Sequence, residues 1–144
     1  TCLHPAKTGR AMRGDDRAMV LMAMLHGWRV LWMSDAGWIT ENALRESGQQ
    51  VRCDVLITSQ HATDACGTPE FLDMARPRLV IRGSSAFSRD HTPAADTLAG
   101  WCVEHQVPLW QVEELGSIVL EFSSSLTIRP DEPGLPPVRF EERR

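Results

Sequence analysis

Trp28-Arg29-Val30-Leu31-Trp32-Met33-Ser34-Asp35 and Cys53-Asp54-Val55-Leu56-Ile57-Thr58-Ser59-Gln60-His61 are two strand-length apolar runs, each finishing on a residue able to bind a cation. Both are apolar on both faces, as in strands buried between layers rather than strands with one wet side. Between them, Trp38 to Gly48 reads as a helix with apolar positions at Ile39, Ala43 and Leu44 and with Gly48 as its stop. The unit is strand, helix, strand. Ligands of such units collect at the carboxyl ends of the strands, so Asp35 and His61 are expected at one rim of the sheet.

Upstream, Cys2-Leu3-His4-Pro5 looks like the end of a strand and Ala6 to Asp16 like a loop. Arg17 to Leu25 is strand-like, and His26-Gly27 is a tight connection, so 17–34 reads as a β-hairpin with Met19, Met22 and Met24 as packing residues. Downstream, Thr68-Pro69-Glu70 opens a short helix whose buried stripe is Phe71, Leu72 and Ala75 and which ends at Arg76-Pro77. Arg78 to Arg82 follows as a strand. Thr92-Pro93 opens a second helix, to about His105, with Leu98, Trp101 and Cys102 facing inward. Pro108–Val112, Ser117–Phe122 and Leu126–Arg129 read as short strands, with Glu113 to Gly116 as a turn. A single folded unit over 1–129 is expected. Residues 130–144, rich in proline and in charges of both signs, are expected to form a mobile tail without a packed element.

Composition narrows the classes. With 42% hydrophobic and 24% charged residues over 144 positions, the chain suits one ordinary globular domain. A formal charge of -4 advertises no strongly basic nucleic-acid surface. The four cysteines lack C-x-x-C spacing, which argues against a zinc ribbon or a thioredoxin-like pair. The longest apolar run, Ala18 to Leu25, falls far short of the ~20 residues that span a bilayer. The first residues carry no signal-peptide pattern, and the chain reads as beginning inside a longer protein. Phosphate-loop, dinucleotide and nucleophile-elbow motifs are absent.

Three positions carry the candidate chemistry. Asp35 at a strand end suits a metal-ligating carboxylate; its plainer role is to cap the helix that follows. A receiver-domain phospho-acceptor would need a lysine after a later strand, and the sole lysine, Lys7, comes earlier. His61, just beyond a buried strand, suits zinc or manganese, or an ordinary loop. His91, with Arg89, suits contact with a phosphate or the positioning of a water.

In order and spacing the segments resemble the C-terminal half of the metallo-β-lactamase-like domain of ComEC-type DNA internalisation (competence) proteins. The matching segments are Cys2-Leu3-His4-Pro5, Asp15 to Leu21, Gly27 to Asp35, Asp54 to Thr63, Phe71-Leu72 with Pro77, and Gly83 to Pro93. The resemblance implies part of an αββα sandwich, an α/β fold of mixed sheets flanked by helices. It further implies a divalent metal ion, zinc or manganese, held by Asp35 and His61, with His91 matching the histidine of the family's G-H-P loop. A metal-activated water would attack a phosphodiester of DNA. The parent would be a cell-membrane protein carrying this part as an extracytoplasmic soluble domain. The sequence departs from the family where H-H-G-S is Gln60-His61-Ala62-Thr63, where T-G-D is Met33-Ser34-Asp35, and in lacking any H-x-H. Asp35 and His61 supply two ligands where zinc sites use three or four, so the isolated chain is expected to be inactive without an upstream half of the domain. The alternative is a degenerate, non-catalytic domain that binds DNA or supports its membrane parent. Half a sandwich would also leave one apolar sheet face uncovered, so the chain is expected to self-associate.

Overall fold

The computed structural model describes residues 1–4, 18–59, 66–83, 93–131, 134 and 136–141, with the backbone alone for 93–96. Among the described residues nine strands and four helices follow in the order β1 (Cys2–His4), β2 (Val20–Leu25), β3 (Trp28–Trp32), α1 (Trp38–Glu46), β4 (Val55–Ser59), α2 (Pro69–Ala75), β5 (Leu79–Gly83), α3 (Pro93–Glu104), β6 (Leu109–Gln111), α4 (Val112–Leu115), β7 (Ile118–Phe122), β8 (Ser125–Pro130) and β9 (Val138–Glu141). The protein is a mixed α/β fold.

β1 to β6 form one sheet in chain order. β2 and β3 make the expected hairpin, with Leu25 opposite Trp28. His26 and Gly27 both have positive φ, 50° and 86°, the left-handed pair that a two-residue turn needs to match strand twist. From β3 to β6 every neighbouring pair is parallel. Right-handed crossovers between strands added always on the same side place all the connecting helices on one face. Accordingly Leu44 of α1, Phe71 and Leu72 of α2, and Leu98 and Trp101 of α3 share a core with Leu31, Leu56 and Val80 of the sheet. Trp101 Nε1 also donates to Asp73 Oδ1 at 2.9 Å, tying α3 to α2.

The opposite face is covered too. β7, β8 and β9 form an antiparallel sheet whose Leu126 and Ile128 pack with Trp28, Val30, Val55, Leu79 and Ile81. Trp28 Nε1 donates across the layers to Ser123 O at 3.0 Å. Arg78 lies over the rings of Trp28 and Phe140, 5.2 and 5.0 Å from their centroids, and donates to Glu141 O at 2.7 Å. The outward row of this small sheet is largely polar, with Arg129 paired to Glu121 and Arg139 to Glu141.

Four expectations are corrected. The apolar sheet face is not left bare, because the chain folds its own second sheet over it. Residues 130–144 do contain a packed element: Val138 and Phe140 point inward from β9, which pairs with β8. The buried stripe of α1 is Thr40, Glu41 and Leu44, with Ala43 exposed. The turn expected at 113–116 includes the single-turn helix α4.

Candidate functional site

The carboxyl ends of the four parallel strands lie along one rim. β3 extends its ladder one residue beyond Trp32, with Met33 N donating to Ile57 O at 2.8 Å. Ser34 then takes a left-handed φ of 51°, which breaks the strand and turns the next residue toward β4. There the Ser59 backbone N–H meets Ser34 O at 3.3 Å, and the Ser59 hydroxyl lies 2.7 Å from Ser34 O and 2.5 Å from Asp35 Oδ1. One hydroxyl proton faces two acceptors. The 2.5 Å separation is in the range of a hydroxyl donating to a carboxylate, which leaves the carbonyl with only the longer backbone N–H bond.

Asp35 is exposed and does not cap α1. The N-cap is Gly37, with no side-chain cap bond, so the plainer role expected for this aspartate is ruled out. What remains is an oxygen-rich corner of one carboxylate, one hydroxyl and one carbonyl. Such a donor set suits a hard cation such as manganese better than zinc, which favours nitrogen and sulfur ligands. Among the described residues no group of three or more histidine, cysteine, aspartate or glutamate side chains comes together. His61, Arg89 and His91 lie outside the described residues, as do Gln60 and Thr92. The parallel pairing of β3 with β4, on which the Asp35–His61 expectation depends, is present.

Behind the rim, Glu41 is a buried carboxylate. Oε1 accepts from Gly67 N at 2.5 Å, and Oε2 accepts from Thr68 N at 3.0 Å and from Thr68 Oγ1 at 2.7 Å. Thr68 is the expected N-cap of α2, but its hydroxyl is spent on Glu41 and makes no cap bond. Gly67 adopts φ +80°, and a Cβ there would fall 2.7 Å from Leu98 Cδ1, so the latch requires glycine. This arrangement fixes where the loop between β4 and α2 rejoins the fold.

One register step back from Ser59 and Gly83, Thr58 of β4, Arg82 of β5 and Gln111 of β6 form a row across the sheet. Arg82 donates to Gln111 Oε1. The Cys66 thiol donates to Ser59 O at 2.9 Å and lies 3.2 Å from the Thr58 hydroxyl. Burial pushes the Cys66 thiol up from its ordinary value, against the bond from Thr58. Cys102 is raised to about 11 by burial, with the charge of Arg82 opposing. Neither is an activated nucleophile. Ser59, Glu41, Arg82 and Gln111 were not singled out from sequence; only Ser59, at the end of a strand facing Asp35, carried a signal that strand alignment would have revealed.

Comparison with family models, curated proteins and solved structures found no match to this chain.

Proposed function

We propose that this chain is the C-terminal part of a metallo-β-lactamase-like domain of a ComEC-type DNA uptake protein, contributing to a metal-dependent phosphodiesterase site at the rim of β3 and β4. The observation that carries the proposal is the Asp35 carboxylate turned onto Ser59 between two parallel strands. The layer order of helices, large sheet and small sheet supports reading the fold as part of an αββα sandwich. Asp35 would hold a divalent ion, with Ser59 and the Ser34 carbonyl completing an oxygen-rich edge and His61 as a further ligand. Bound there, manganese or zinc would supply an activated water to a DNA phosphodiester. This chain's own part is to present the carboxylate in a fixed direction, and Ser59 does that by gripping both Ser34 and Asp35. The upstream half of the domain would supply the remaining ligands, and the membrane would be reached only through the parent protein.

Metal analysis of the chain produced together with its upstream sequence tests the proposal. Two tightly bound transition-metal ions, lost on Asp35→Asn, are expected. Absence of bound metal, with DNA binding retained, would replace it with the non-catalytic DNA-binding form.

A further inference from the structure

We propose that the helix-side rim of β4, β5 and β6 is a binding site for a tetrahedral oxyanion of the phosphate class, centred on Arg82. Strand alternation sets its position. Leu79 and Ile81 face the second sheet and Val80 faces the helices, so Arg82 turns to the helix side at the end of β5. There the guanidinium is partly covered. Nη2 donates to the Gln111 amide oxygen, whereas Nη1 is buried and has no hydrogen-bond partner among the described residues.

Gln111 is itself held, its Nε2 donating to Glu114 Oε1 at 2.5 Å, which leaves its oxygen turned to the arginine and the planar fork oriented. The partner is therefore neutral. Among the described residues no carboxylate forms an ion pair with Arg82. A cation drawn partly out of water without an opposing charge is costly, and an anionic guest removes that cost. Among the described residues no neighbouring group pairs directly with that charge. The Arg82 charge opposes the upward shift of both Cys66 and Cys102, yet burial outweighs it and keeps both thiols neutral. Glu41, the carboxylate on the Cys66 side, keeps its charge but directs both oxygens at Gly67 and Thr68 rather than at Arg82.

Oxyanion chemistry follows from the fork and its unfilled donor. The choice of phosphate rests on the phosphodiester reading above, and Arg82 stands one register step from the Ser59 and Asp35 corner.

Inorganic phosphate titrated into the 144-residue protein without divalent metal tests this, followed by calorimetry and by the arginine Nε–Hε NMR resonances. A saturable shift of the Arg82 resonance is expected, with affinity lowered about tenfold or more by Arg82→Gln and less by Arg82→Lys. The titration contains no divalent metal, so failure of the metal proposal would not disturb this result, and Glu46→Gln, on the exposed side of α1, should leave phosphate affinity unchanged. No saturable shift in the wild-type protein overturns the inference, whether or not the variants fold. So does a folded Arg82→Gln that binds phosphate as tightly as wild type.

Discussion

Glu41 and Thr68 are joined twice through a single oxygen, Oε2 accepting both the backbone N–H and the hydroxyl of Thr68. The carboxylate is buried and also accepts from Gly67, so it acts as a three-point acceptor that neutral glutamine cannot replace. Glu41→Gln would set an amide N–H against a backbone N–H. A loss of about 2–4 kcal/mol is expected. The control Glu46→Gln, on the exposed side of the same helix, should stay within about 0.5 kcal/mol. Urea unfolding of the two variants checks this, and equal midpoints would refute the latch.

Gly67→Ala attacks the same latch through the backbone. Its positive φ and the approach to Leu98 make both strain and steric conflict unavoidable. The expected cost is about 1–3 kcal/mol, read as a lowered melting temperature. Gly48→Ala, also at positive φ but in open space, should cost less.

Asp35 is exposed, so Asp35→Asn should leave stability within about 0.5 kcal/mol of wild type. Manganese binding followed by electron paramagnetic resonance is expected to fall at least about tenfold in that variant, and by a smaller factor in Ser59→Ala, which removes the orienting hydroxyl. Unchanged manganese affinity in Asp35→Asn would remove Asp35 from the metal site.

The buried thiol of Cys102 gives a pH signature. Its folded value is raised from 9.0 to about 11, so the folded state keeps a proton that the unfolded chain releases. Stability from this source is complete below pH 9 and falls as pH rises from 9 to 11. Cys66, shifted in the same direction, adds to the fall. Thermal melts should drop over this window, and less steeply in Cys102→Ala. At pH 8, a thiol reagent should modify exposed Cys2 long before Cys102.

Trp28→Phe loses the bond to Ser123 and part of the buried ring volume, at an expected cost of about 2–3 kcal/mol. Ending the chain at Gly116 removes β7–β9 and bares Val30, Val55, Leu79 and Ile81. Sedimentation is expected to show association of the shortened protein and a monomer for the full one. A monomeric shortened protein would mean that this face tolerates water.

Periodicity located most of the elements because β3, β4 and β5 are buried on both faces and their apolar runs are continuous. The same logic misread α1, since it looks only for apolar positions and the residue that matters, Glu41, is a carboxylate whose partners are 26 and 27 residues away. Proline content over fifteen residues hid the four-residue alternation of Val138 to Glu141. Strand ends revealed Asp35 because the sequence changes character there. Arg82 stayed hidden because its environment comes from β6 and from the lack of an ion-pair partner among the described residues, neither of which is a local property.

Laying each strand of the large sheet beside its predecessor has a further consequence for how the chain must be assembled. The parallel pairs close loops of 24 to 29 residues, whereas the seam where Trp28 meets Ser123 spans 95 residues, so the largest single loop-closure cost falls on that seam. In a variant that keeps Trp28 as its sole tryptophan, fluorescence is expected to follow the closing of that seam, whereas backbone signals follow the sheet that precedes it in the sequence.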